Sequence, residues 1–131
     1  MAPIAARPVA AHVSIVDDDP SVRRALRRLV EIAGFVVDTF ESGTQALDTG
    51  LRPDVACLVL DVYLGDMTGF ELRRHLAARG VTAPTIFITA HDDAATSEQA
   101  RRAGASAYFA KPVDGEALVD AILAAIAARV D

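Results

Sequence analysis

At 131 residues the chain is the size of one domain, long enough to bury a core without disulfides or a structural metal. No apolar run approaches the ~18 residues of a membrane span; the longest, Ala121–Ala128, is mostly alanine, and Pro3, Arg7 and Pro8 interrupt any export signal. A net charge of -5 argues against nucleic-acid binding by this domain, and a lone cysteine, Cys57, excludes an internal disulfide and suits a reducing cytoplasm.

Residues 1–11 are rich in Ala and Pro without periodicity and read as a disordered lead-in, leaving 12–131 as the folded domain. From there strand-like and helical patterns alternate five times. The first strand is expected at His12–Val16. A helix follows, with Asp19 as cap, Pro20 in the first turn, Gly34 as terminator, and Val22, Ala25, Leu26, Leu29, Val30 and Ala33 as its buried stripe. Arg23, Arg24, Arg27 and Arg28 fall largely on its opposite face. The second strand is expected at Phe35–Thr39 and the second helix near Thr44–Gly50. Val55–Leu60 is apolar throughout, as a central parallel strand covered on both faces should be. Cys57 within it reads as a buried core thiol. The third helix opens with the capping box Thr68-x-x-Glu71 and ends near Gly80. The fourth strand (Thr85–Thr89), a helix near Ala94–Ala103, the fifth strand (Ala107–Ala110) and a last helix carrying Leu118, Ile122, Ala125 and Ile126 complete the series. Five such units predict an α/β fold, a doubly wound parallel sheet with helices on both faces, and place ligands beyond the carboxyl ends of the strands.

Those strand ends are polar. Asp17 and Asp18 follow the first strand, Asp61 the third, Thr89 ends the fourth, and Lys111 follows the fifth. With strand order 2-1-3-4-5 the first and third strands are neighbours and three carboxylates converge, an arrangement that like charges oppose unless a cation is present. A hard divalent ion such as Mg²⁺ takes oxygen ligands of this kind, often together with a phosphate. Lys111 offers a compact ammonium for that phosphate and Thr89 a hydroxyl. Of 13 basic residues, Lys111 is the one lysine; codon usage explains a preference for arginine but not where the exception falls. Each residue alone has a plainer reading: a turn for the Asp pair, a loop start for Asp61, a strand end for Thr89, a solvated charge for Lys111. Their joint arrival at one edge favours a site.

Val16-Asp17-Asp18-Asp19, Leu60-Asp61 with Gly69 eight residues on, Thr89-Ala90, Lys111-Pro112 and Arg102-Ala103-Gly104-Ala105-Ser106-Ala107-Tyr108 together resemble the receiver domains of two-component response regulators, from about His12 to Val130. The resemblance implies a flavodoxin-like receiver fold and phosphorelay signalling. A sensor histidine kinase or phosphotransfer protein would phosphorylate Asp61; Asp17, Asp18, Asp61 and the Tyr63 carbonyl would serve Mg²⁺, Asp17 mainly through water. Lys111 would neutralise the transferred group. Thr89 and Tyr108 would switch the surface of the fourth helix, fifth strand and fifth helix, which regulates a downstream protein or an attached output domain. The chain is then a phosphoacceptor signalling domain, not an enzyme with a separate substrate.

Two departures stand out. Leu64-Gly65 replaces the usual Met-Pro, predicting a looser loop, and Val113 replaces an aromatic. Tyr63 and His91 are expected to line the pocket. The arginines of the first helix read either as a solvated face or as a kinase-docking patch. Two alternatives remain: a Mg²⁺-dependent aspartyl-phosphate phosphohydrolase, disfavoured by Tyr63 where such enzymes carry a second Asp, and a receiver-like interaction module that needs no phosphorylation. The reading also allows a free-standing receiver or part of a longer regulator, and a homodimer through the last helices.

Overall fold

The computed structural model describes residues 10–129; the expected lead-in up to residue 9, and the last two residues, lie outside that range. Ten elements alternate along the chain: β1 (His12–Val16), α1 (Pro20–Ile32), β2 (Val36–Phe40), α2 (Gly43–Thr49), β3 (Val55–Asp61), α3 (Gly69–Ala78), β4 (Thr85–Thr89), α4 (Ala94–Arg102), β5 (Ala107–Ala110) and α5 (Gly115–Arg129). The five strands form one parallel sheet in the expected order, β2-β1-β3-β4-β5.

Strand side chains alternate between the faces of the sheet, so each face has its own core. Val13, Ile15, Cys57, Val59, Ile86 and Ile88 pack with Leu26 and Val30 of α1 and Leu118 and Ile122 of α5. Val16, Leu58, Leu60 and Phe87 pack with Ala46 of α2, Phe70, Leu72 and Leu76 of α3, and Ala100 of α4. The two faces together bury β3 almost completely. Cys57 is fully buried, as expected, and burial pushes its thiol up to about 12, out of reach of thiolate chemistry at neutral pH. No helix among the described residues is long and apolar enough to cross a membrane.

Several boundaries differ from the sequence expectation for local reasons. β2 begins at Val36, because Phe35 closes α1: Gly34 (φ +102) donates its N–H to the Glu31 carbonyl and Phe35 donates to that of Val30. This is the paired hydrogen bonding of a Schellman motif, and it uses the Phe35 N–H before the strand begins. β3 runs one residue further, to Asp61, which pairs with Ile88 of β4. α2 spans Gly43–Thr49, one residue earlier than expected, since Ser42 is its cap and Gly50 its terminator. α4 stops at Arg102, with Ala103 as its cap. Ala25 and Ala33 were expected in the buried stripe of α1 but are exposed; Leu26 and Val30 carry the burial, with Val22 and Leu29 half-buried.

The β3–α3 connection is held tightly. A single antiparallel bridge joins Tyr63 to Thr68, the Gly69 N–H donates to the Val62 carbonyl at 2.7 Å, and both halves of the Thr68/Glu71 capping box are made. A Cβ on Gly69 would press on the backbone carbonyl of Asp61. Gly69→Ala should therefore displace the end of β3 and lower stability by about 1–3 kcal/mol. Urea unfolding checks this; a midpoint equal to that of the wild type would contradict the close approach.

Candidate functional site

The carboxyl edge of the sheet brings four charged side chains together. Asp17 follows β1 directly. Its N–H donates to the Phe40 carbonyl (3.2 Å), its Oδ1 accepts from the Asp19 N–H (2.9 Å), and its carbonyl accepts from Arg23 Nη1 (2.8 Å). Asp19, one step on, caps α1 by accepting from the N–H groups of Ser21 and Val22. The acidic run is thereby divided: Asp19 serves the helix, Asp17 is fully buried, and Asp18 is exposed at the rim.

Asp61, the last residue of β3, is 4% exposed. Its Oδ1 accepts from the Tyr63 N–H (3.2 Å) and its Oδ2 from Lys111 Nζ (2.9 Å). Lys111 reaches it from the end of β5, where its own N–H donates to the Thr89 carbonyl (2.8 Å). The same ammonium lies 3.0 Å from Asp17 Oδ2, an ion pair that leaves this buried oxygen without a well-directed hydrogen bond. One cation thus faces two buried carboxylates.

Electrostatics follow from that imbalance. Burial, reinforced by the charge of Asp17, raises the Asp61 carboxyl above its ordinary range, against the opposing pull of Lys111. Burial also works against the Lys111 ammonium, but its hydrogen bond to Asp61 and its ion pairing with Asp17 outweigh this and raise its pKa.

Ligand oxygens of Asp17, Asp18 and Asp61 lie within 4.8 Å of one another. An all-oxygen donor set around a buried carboxylate oxygen that shares one ammonium and lacks a well-directed hydrogen bond fits a hard divalent cation such as Mg²⁺. The Tyr63–Thr68 bridge uses the carbonyls of Val62 and Met67 and leaves that of Tyr63 outside it.

The remaining expected residues surround this centre. Thr89 is fully buried at the end of β4, and its Oγ1 accepts from the His91 N–H (2.9 Å). Tyr63 is 45% exposed; its ring meets His91 edge-on with centroids 5.3 Å apart, and its hydroxyl lies 3.4 Å from Thr96 Oγ1 of α4. Tyr108 packs its ring against the α2–α3–α4 core while its hydroxyl donates to Asp92 Oδ1 (3.0 Å). Burial and then Asp92 push that hydroxyl up to about 12.

Three contacts have no local signature in the sequence. Arg23, placed by periodicity on the solvated face of α1, is half-buried and holds the Asp17 backbone, so it does not belong to a free docking patch. Arg24 and Arg28 are exposed, and Arg27 makes only a surface pair with Glu31 at 3.4 Å. Asp92 as the partner of Tyr108 was not anticipated. Nor was the anchoring of the β3–α3 loop, expected to be loose for want of proline: Leu64 is buried, and Asp66 reaches back to α2.

Comparison with known proteins agrees with this geometry. Residues 13–123 match the family described as the response regulator receiver domain. The chain is 38% identical over 118 residues to the transcriptional regulatory protein TdiR of Thauera aromatica, covering 90% of this chain and 52% of that protein. It is 34% identical over 119 residues to the transcriptional regulatory protein FixJ of Azorhizobium caulinodans, covering 91% and 56%. Among solved structures, a response regulator receiver protein from Burkholderia phymatum superposes with a TM-score of 0.77 at 41% identity, over 89% of this chain and 95% of that one. The chain spans about half the length of the curated relatives it matches. It belongs to the family of receiver domains of two-component response regulators, which are signalling domains.

The elevated Asp61 carboxyl has a consequence for stability without metal. A carboxyl raised on folding favours the folded state at low pH, and that contribution is lost as pH rises through the window between its unfolded and folded values. Asp61→Asn should therefore melt a few degrees above the wild type at pH 7.5 in chelator, the gain shrinking toward pH 4, while added Mg²⁺ should stabilise only the wild type. Thermal melts test this; a variant less stable than the wild type at pH 7.5 in chelator would contradict the uncompensated charge.

Proposed function

We propose that the domain receives a phosphoryl group on Asp61 from the phosphohistidine of a sensor histidine kinase or phosphotransfer protein. The observation that carries this reading is the sharing of one ammonium, Lys111, by two buried carboxylates, Asp17 and Asp61, an arrangement suited to a cation and an incoming phosphoryl group. A carboxylate oxygen of Asp61 attacks phosphorus, the N–P bond breaks, and the imidazole leaves. Asp18, Asp61 and the Tyr63 carbonyl, with Asp17 mainly through water, would hold Mg²⁺, which would supply positive charge against the phosphoryl oxygens. Lys111, released from Asp61 once that oxygen carries the phosphoryl group, neutralises the rest. The task is one of positioning and electrostatics.

Thr89 turns from the His91 N–H toward the phosphoryl oxygens, and Tyr108 gives up Asp92 to move inward. Because Tyr108 lies on β5 and Asp92 just before α4, this exchange repacks the α4–β5–α5 surface. Relatives named as transcriptional regulators are about twice as long as this chain, which supports an output module elsewhere in the polypeptide that contacts DNA. The receiver itself works in the cytoplasm without touching nucleic acid or membrane. Tyr63, where a hydrolase carries a second acid, supports a phosphoacceptor over a turnover phosphatase.

Mg²⁺ with acetyl phosphate should add one phosphoryl group, read by intact mass, and Asp61→Asn should add none; equal labelling of the variant would overturn the assignment. The docking side is tested separately. A small apolar cleft of Val22, Ala25, Leu26, Pro112 and Val113 opens beside Lys111, and Arg28 lies one turn from Ala25. Reversing charge at Arg24 and Arg28 should slow transfer from a kinase about tenfold while leaving acetyl phosphate labelling unchanged; equal slowing with both donors would remove this face of α1 from kinase recognition.

A further inference from the structure

The loop that carries the Tyr63 carbonyl is tied to α2 by one side chain. Asp66 Oδ2 accepts from the Thr44 N–H (2.8 Å) and from Thr44 Oγ1 (2.7 Å), while its Oδ1 accepts from the Gly43 N–H (3.3 Å). Gly43 and Thr44 are the first two residues of α2, whose N–H groups have no partner within the helix. The helix already has its local cap, Ser42, which accepts from the Gln45 N–H at 2.9 Å. Asp66 satisfies the donors that Ser42 leaves, from 22 and 23 residues away. Burial works against the Asp66 carboxylate, but the bonds from Thr44 and Gly43 together outweigh it and keep the carboxyl below its ordinary range.

The contact is close on both sides. A Cβ on Gly43 would run into the Met67 side chain, so helix and loop meet without a gap. Immediately before Asp66 stands Gly65, at φ +85, in the region that favours glycine. A Cβ there would lie 3.8 Å from Asp18 Oδ2, which places the loop against the rim of the carboxylate cluster. The residue with the most backbone freedom in the loop therefore sits between the cluster and the Asp66 anchor.

We infer that Asp66 is a positioning residue for the metal site: by fastening the β3–α3 loop to the first turn of α2, it holds the Tyr63 carbonyl and the loop wall beside Asp18 in place for Mg²⁺. This rests on the reading of the cluster as a Mg²⁺ site. Asp66 itself touches neither metal nor phosphoryl group. Its effect is transmitted through Gly65 and Leu64, the latter locked in the core.

Ser42 provides the control, because Ser42→Ala removes a cap of the same helix without touching the loop. Mg²⁺ affinity by calorimetry and amide exchange over residues 43–44 and 62–68 should be measured for the wild type, Asp66→Ala, Asp66→Asn and Ser42→Ala. Asp66→Ala should weaken Mg²⁺ binding about tenfold, at the low end for groups that orient metal ligands, and speed exchange in both segments. Asp66→Asn, which keeps one carbonyl acceptor, should recover part of the loss. Ser42→Ala should lower the melting temperature but leave Mg²⁺ affinity and loop exchange unchanged. Asp66→Ala binding Mg²⁺ like the wild type, or Ser42→Ala weakening it equally, would overturn the inference alone. A wild type that binds no Mg²⁺ would overturn the metal reading and this inference with it.

Discussion

One ammonium set against two buried carboxylates is the constraint on which the site depends. Lys111 lies within 3.0 Å of both Asp17 and Asp61, and a third carboxylate, Asp18, stands at the rim. Burying two acids for one base leaves an excess of negative charge at the edge. The fold tolerates this through fixed hydrogen bonds from the N–H groups of Asp19 and Tyr63. A domain built only for stability would not retain such a cluster, since replacing buried ion pairs with apolar groups is often neutral or stabilising. The imbalance suits the edge to the divalent cation and the phosphoryl group proposed for it.

The sheet exists to hold that imbalance in register. Asp17, Asp61, Thr89 and Lys111 sit at the ends of four adjacent parallel strands, so their relative positions are set by backbone ladders: Asp61 is paired to Ile88, Thr89 to Ala110. The two apolar faces enclose these strands and exclude water from beneath the site. The β3–α3 loop (through three hydrogen bonds of Asp66), Tyr63 (through its hydroxyl at Thr96) and the Tyr108–Asp92 bond connect the charges to α2 and α4.

The fold and the charged centre were legible in the sequence because both are written in short-range patterns. Apolar runs such as Val55–Leu60, the Asp19-Pro20 helix start and the Thr68/Glu71 box each carry their own physical signal, and Asp17, Asp18, Asp61 and Lys111 follow such runs directly. Boundaries moved where a backbone group had two competing uses, as at Phe35, whose N–H closes α1 before β2 begins. The supporting shell was not legible. Asp66 meets Thr44 across 22 residues and Tyr108 meets Asp92 across 16, separations at which no local pattern specifies a partner. Arg23 was misplaced for a related reason: helical periodicity assigns a side chain to a face, but a long arginine at the edge of that face can turn back to the Asp17 carbonyl.

The carboxylate bonded to Lys111 is the one proposed to take the phosphoryl group. Reducing the Mg²⁺- and acetyl-phosphate-treated protein with borohydride converts an aspartyl phosphate to homoserine, which peptide mass spectrometry locates. The account predicts a single homoserine, at position 61. Homoserine at another aspartate, or none from protein that has gained phosphoryl mass, would contradict it.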